Sequence, residues 1–131
     1  MLLIDTSVWI KLFRDRDDGR YKQTLIKAID DRDYCLSRFT QTELLQGAKD
    51  EKQWTELSNY LSTQDYIDLS IQSWSHAARI YYDLRHQGIT VRNTIDCLIA
   101  TSAIEHDLLL LHDDRDFEAI AHGTTLNETR V

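Results

Sequence analysis

The chain has 131 residues, 42% of them hydrophobic, with four glycines, no proline and a formal net charge of −7. That composition suits one compact domain spanning 1–131 with a true core, and it excludes collagen-like, low-complexity and disordered classes. The acidic balance argues against a protein that grips nucleic acid by bulk charge, which calls for clustered Lys and Arg, and it favours a basic partner.

In chain order, Met1-Leu2-Leu3-Ile4 is an apolar run that stops on Asp5 and reads as a first strand over 1–5. Residues 7–14 carry an amphipathic turn or two through Val8, Trp9, Ile10, Leu12 and Phe13, and 15–20 is a charged loop. Leu25, Ile26 and Ile29 fall at helical spacing in a helix near 21–31, and Tyr34–Ser37 is a short strand after a turn. Thr40 opens a helix carrying Leu44 and Leu45. A further helix over about 52–62 aligns Trp54, Leu57, Tyr60 and Leu61 on one stripe. Tyr66, Ile67 and Leu69 form a brief extended segment. Residues 71–87 make the clearest helix, with Trp74, Ala77, Ala78, Tyr81 and Leu84 as its apolar face and Gly88 as its cap. Thr94–His106 is the next helix, with Ile95, Leu98, Ile99, Ser102 and Ala103 on one face. Leu108–Leu111 reads as a buried parallel strand, Asp116–Ala121 as a short last helix, and the tail trails off after Gly123.

Short strands alternating with helices predict βαβ units, hence a three-layer α/β/α sandwich around a mostly parallel sheet. No apolar run approaches the roughly 18–20 residues needed to span a bilayer, and the start of the chain lacks the basic residues of a secretory leader, so a cytoplasmic location is expected. Cys35 and Cys97 sit in apolar surroundings and read as buried free thiols rather than a disulfide or metal pair.

Four acids recur at one kind of place. Asp5 ends the first strand before a helix. Glu43 and Asp96 fall in the first turns of the helices opened at Thr40 and near Asn93, and Asp114, with Asp116 beyond it, follows Leu108–Leu111. Taken singly, each reads as a helix cap, since free N–H groups and the macrodipole favour acids there. Thr40-Gln41-Thr42-Glu43 even fits a capping box. As a set they read otherwise. Asp96 lies in the apolar stretch Thr94–Ala100 with Ile99 and Ala100 at i+3 and i+4, so its charge has no local cation. In a parallel sheet, acids after strands converge on one edge, where ligands bind. Carboxylates gathered there repel unless a cation neutralises them, and hard oxygen ligands suit Mg²⁺ or Mn²⁺.

These same residues carry a family resemblance. Leu3-Ile4-Asp5-Thr6-Ser7-Val8-Trp9-Ile10, Thr42-Glu43-Leu44-Leu45-Gln46-Gly47, Asp96-Cys97-Leu98-Ile99-Ala100 and Leu111-His112-Asp113-Asp114-Arg115-Asp116-Phe117 resemble, in that order, the PIN-domain ribonucleases, closest to the VapC-type toxins. The resemblance implies a metal-dependent endoribonuclease, a homodimer, and neutralisation by a cognate antitoxin. It places Asp5, Glu43, Asp96 and Asp114 in an acidic quartet. Asp5 and Asp96 would be the direct metal ligands, with Glu43 and Asp114 outside direct coordination or on a second metal. Thr6 matches a hydroxyl position beside the first acid. The family's Asp-x-Asp-Phe ending aligns with Asp114 and Asp116 rather than Asp113, leaving open which of the two faces the metal.

The chemistry expected of such a site is hydrolysis of an RNA phosphodiester by a metal-activated water, with Glu43 or Asp114 orienting it. Lys11, Arg14, Arg16, Arg38 and Arg92 are the cations near the expected edge, of which Arg38 and Arg92 are candidate RNA contacts alongside Thr6. Trp9, Ser102 and His112 read as packing or structural residues. The same carboxylates would also serve a metal-dependent DNA nuclease or phosphatase. A receiver-type signalling domain, another Mg²⁺ binder, would need a late Lys, and no Lys follows Lys52. A binding module without chemistry is the remaining alternative.

Overall fold

The computed structural model describes residues 1–15 and 18–131, so Arg16 and part of the expected 15–20 loop lie outside the described residues. Its elements are β1 (Leu2–Ile4), α1 (Thr6–Arg14), α2 (Arg20–Ile29), β2 (Tyr34–Ser37), α3 (Arg38–Gln46), α4 (Glu51–Leu61), β3 (Tyr66–Ile67), α5 (Ser73–His86), α6 (Thr94–Glu105), β4 (Leu109–His112), α7 (Arg115–Gly123) and β5 (Glu128–Arg130). The strands form one sheet in the order β3-β2-β1-β4-β5, and every pairing is parallel. Leu2, Leu3 and Ile4 stand opposite Leu109, Leu110 and Leu111, which puts the most apolar strands at the centre.

The side-chain alternation of these strands builds two cores. Leu3, Cys35 and Leu110 project to one face and pack with α5, α6 and α7 through Ala77, Leu84, Ile99, Ala103, Phe117 and Ile120. Leu2, Ile4, Leu36 and Leu111 project to the other and pack with α1 to α4 through Val8, Trp9, Leu25, Leu44 and Leu61. The expected α/β/α sandwich is therefore present, with both faces of the sheet covered. Cys35 and Cys97 are buried free thiols, each pushed up to about 11 chiefly by burial. Among the described residues, no helix is long and apolar enough to cross a membrane.

Several local expectations change. The chain after Gly123 does not trail off: Glu128–Arg130 adds β5 beside β4, with Leu111 paired to Thr129 and His112 to Arg130. Glu-Thr-Arg has no apolar pattern because β5 is an edge strand. The helix expected from Thr40 starts at Arg38, capped by Ser37, whose Oγ accepts the Thr40 N–H at 3.2 Å. Helix α6 is not one-sided. Cys97 through Ala103 are all buried, because α6 is covered by α5, α7 and the sheet together. Trp54 and Trp74, expected on apolar stripes, are 46% and 56% exposed, whereas Trp9 is buried against Phe13, Tyr34 and Tyr60.

Phe117 is fully buried one residue past Asp116, at the point where α7 meets the sheet. Phe117→Ala should cost about 3–5 kcal/mol, the usual range for a buried aromatic, as read from the urea midpoint. Ile71→Ala, at a side chain 91% exposed, should stay within about 0.5 kcal/mol of wild type.

Candidate active site

The site lies over the carboxyl ends of β1, β2 and β4, where each strand hands over to a helix. Asp5 follows β1 and caps α1: its Oδ2 accepts from the Ser7 N–H at 3.0 Å and the Ser7 hydroxyl at 2.6 Å. Asp114 follows β4 and caps α7, with Oδ1 accepting the Asp116 N–H at 2.9 Å. Asn93, not Asp96, caps α6, leaving the Asp96 carboxylate in the first turn free to face the cavity. Glu43 lies further along α3 than expected, and the capping box drawn at Thr40 does not form. Thr6 Oγ1 instead sits 2.9 Å from both Glu43 Oε1 and Thr40 Oγ1. One hydroxyl carries one proton, so giving it to Glu43 leaves Thr40 to donate to Thr6.

These contacts bring Asp5, Glu43, Asp96, Asp114 and Asp116 to one cavity of about 330 Å³, lined also by Thr6, Ser7, Ile10, Arg92 and Asn93. Within it Asp96, Asp114 and Asp116 each offer a carboxylate oxygen, and those oxygens lie within 4.8 Å of one another. Asp5 and Glu43 are not in that three-residue group, but both line the same cavity. Asp113 points elsewhere, with Lys11 at 3.4 Å and Arg130 at 3.9 Å. Of the candidate RNA contacts, Arg92 reaches the cavity and Thr6 is buried beneath it. Arg38 does not reach it: its guanidinium stacks over Tyr66 at 3.9 Å beside a separate cavity.

Charge crowding marks the cluster. Burial, then the fields of Asp114, Asp5, Asp116 and Glu43, push the Asp96 carboxyl up to about 7. Burial raises Asp5 despite its hydrogen bonds from Ser7, and burial also raises Glu43. A carboxylate held this far above its ordinary range calls for a cation, and three converging hard oxygens fit a divalent one.

Two supports were not read from the sequence as parts of the site. Ser7 Oγ, while donating to Asp5, accepts the Asp113 N–H at 2.9 Å and so ties the start of α1 to the β4–α7 loop. His112, fully buried, is the second. Its Nδ1 accepts the Asp114 N–H at 3.1 Å, which puts its proton on Nε2, 2.6 Å from Glu128 Oε2. Edge strand β5 thereby reaches the backbone of Asp114 through a histidine of set tautomer.

A parallel sheet with carboxylates gathered over its strand ends defines an acidic-pocket α/β domain. The PIN domain family model matches residues 2–123. VapC ribonuclease Mb1587 from Mycobacterium bovis and ribonuclease VapC11 from Mycobacterium tuberculosis are each 34% identical over 135 residues, covering 96% of this chain and 96% of the relative. The fold is also that of VapBC2 from Rickettsia felis, solved bound to a DNA fragment from its promoter. That likeness has a TM-score of 0.78 at 21% identity and covers 99% of this chain and 98% of that one. The chain belongs to the PIN-domain family, and within it to the VapC ribonucleases.

The raised Asp96 carboxyl gives a signed pH dependence. Between the unfolded value of 3.8 and the folded value of about 7, the folded chain holds a proton that the unfolded chain releases. Metal-free stability therefore falls as pH rises through that window and levels off above it. Melting temperatures in EDTA should drop from pH 5 to pH 8. Asp96→Asn should melt higher than wild type at pH 8 with a flatter profile; a lower melting point there would contradict the crowding.

Proposed function

We propose that this chain is the toxin of a toxin–antitoxin pair, an endoribonuclease that hydrolyses RNA phosphodiester bonds with a divalent cation, Mg²⁺ or in its place Mn²⁺, at the cavity over the strand ends. The convergence of Asp96, Asp114 and Asp116 within 4.8 Å carries the reading, and membership of the VapC ribonucleases supports it. Those three carboxylates would hold the cation, with Asp5 and Glu43 on the adjoining wall. When bound, the cation lowers the pKa of a coordinated water and screens charge on the phosphoryl oxygens.

The chain's own residues supply the rest. Glu43, held by Thr6, has a raised carboxyl placed to orient a water and take its proton. Asp5 is fixed by Ser7 through Oδ2 where it lines the cavity. The cavity's modest size favours single-stranded or looped RNA, whose phosphates and splayed bases can enter. An attack by water leaves a 5′-phosphate and a 3′-hydroxyl. A cytoplasmic location and a homodimer belong to the same reading.

For the cognate antitoxin, the structure offers an adjoining groove. A cavity of about 560 Å³ between α1, α3 and α4 is lined by Ile10, Phe13, Leu44, Leu57 and Tyr60 and shares Ile10 and Glu43 with the acidic cavity. An antitoxin segment with apolar side chains followed by a basic one matches this sequence of apolar groove and acidic pocket.

Purified wild-type chain should cleave single-stranded RNA in Mg²⁺, stop in EDTA, and leave DNA intact. Asp96→Asn and Asp114→Asn should abolish cleavage, and Glu43→Gln should slow it by about 10²-fold, the lower range for loss of a general base. Expression of wild type but not Asp5→Ala should arrest growth; equal arrest would refute the site. DNA cleavage with RNA spared would replace this reading by the DNA nuclease.

Phe13, 54% exposed in the groove, should matter to the antitoxin and not to the chemistry. Phe13→Glu should lose about 2 kcal/mol or more of antitoxin affinity, as expected of a central aromatic anchor, with RNA cleavage unchanged. Calorimetry against the product of the neighbouring small reading frame measures the first, and the RNA assay the second.

A further inference from the structure

Two of the three clustered carboxylates already have a cation. Arg92 lies on the loop between α5 and α6, just before the Asn93 cap. Its Nε donates to Asp116 Oδ2 at 3.0 Å and its Nη2 to Asp114 Oδ1 at 3.1 Å. The two ends of this bridge differ in exposure. The Asp116 side chain is 7% exposed and Asp114 is 28% exposed, both fixed at the start of α7, whereas the Arg92 side chain is 58% exposed. Val91, buried at 3%, anchors the loop directly before it. The backbone is therefore pinned, and a long, solvated side chain reaches back over the mouth of the cavity. Asp96, the third member of the cluster, has neither Arg92 bond.

We propose that Arg92 is a tethered counter-ion: it occupies the cation's place on Asp114 and Asp116 in the metal-free chain, and is released to grip an RNA phosphate when a divalent cation takes those carboxylates. The inference rests on the proposed metal site and adds a role for a residue outside the carboxylate set. A divalent cation among the three oxygens would sit beside the guanidinium and compete with it for the same two acids. Like charges so close repel, and only the exposed partner can move. Arginine suits both states, because its planar fork pairs with two carboxylate oxygens or with two phosphate oxygens. Its position at the cavity mouth puts the released guanidinium where substrate phosphate arrives. The metal and the arginine thus exchange anions: the acids pass from guanidinium to metal, and the guanidinium passes from acids to RNA.

The test uses the full chain and has a readout apart from catalysis. Mn²⁺ binding is titrated by calorimetry at pH 8 for wild type, Arg92→Gln, Arg92→Lys and Asp96→Asn. Arg92→Gln should bind Mn²⁺ at least about fivefold more tightly, the low end of ordinary coupling between competing ligands. Its metal-free melting temperature should fall, because Asp114 and Asp116 lose their counter-ion. Arg92→Lys, which keeps the charge, should bind Mn²⁺ much as wild type does. With Mn²⁺ saturating, Arg92→Gln should raise KM for a single-stranded oligoribonucleotide far more than it lowers kcat. Equal or weaker Mn²⁺ binding by Arg92→Gln would overturn the counter-ion role while leaving the metal site intact, and so would a lysine variant that behaves like the glutamine one. Absence of Mn²⁺ binding in wild type and Arg92→Gln alike would overturn the metal site and this inference with it. Asp96→Asn, expected to lose Mn²⁺ binding, tells the two failures apart: binding retained there places the metal elsewhere.

Discussion

The repulsion among carboxylates that the parallel sheet forces together is the constraint on which the site depends. Because all five strands run the same way, the residues that follow β1 and β4 and those that open α3 and α6 share one edge. Five acids around a cavity of about 330 Å³ cannot all ionise without cost. The structure answers this unevenly. Asp5 takes two hydrogen bonds from Ser7, Glu43 takes one from Thr6, Asp114 and Asp116 share Arg92, and Asp96, with no such partner among the described residues, has its carboxyl pushed up to about 7. The cost is shared: burial raises Asp5 and Glu43 as well as Asp96.

The packing around α6 explains why burial weighs on Asp96. Cys97 through Ala103 are all buried, and the first turn of α6 adjoins the acids that follow β1 and β4. Burial is also the largest cause of the Asp96 shift, ahead of any single neighbouring charge. The rigid apolar helix and the crowded carboxylate are thus one feature: the first supplies the low-polarity wall that makes the second costly.

The sequence reading reached the parts of the site that are local in the chain. Asp5 and Asp114 stand out because a strand end and a helix start fall within a few residues of each, and Asp96 because it is an acid at a helix start within an apolar stretch. For Glu43 the sequence offers a capping box as the competing explanation, and the structure replaces that box. Ser37, one strand residue earlier, caps α3, which frees Thr40 to meet Thr6 across 34 residues. What stayed out of reach was long-range. Arg92 pairs with acids 22 and 24 residues away, and His112 with Glu128 across 16. No periodicity encodes such contacts. Strand β5 escaped for a related reason: Glu128–Arg130 has no apolar alternation, being held by backbone pairing to β4 and by the side chain of His112. The exposed Trp54 and Trp74 were misplaced because a helical stripe of large apolar residues does not say whether anything covers it.

The tension between capping and ligation, which the sequence leaves open for every acid, has a geometric resolution. A carboxylate has two oxygens, and a cap needs one. Asp5 gives Oδ2 to Ser7, and Asp114 gives Oδ1 to the Asp116 N–H and to Arg92. Both also line the acidic cavity, so one side chain caps a helix and faces the pocket. The cap fixes the carboxylate at the cavity wall, and a short aspartate does this with one torsion fewer than glutamate. Glu43 is the exception that fits this argument. It sits past the first turn of α3, where no cap can hold it, and a separate buried hydroxyl, Thr6, holds it instead.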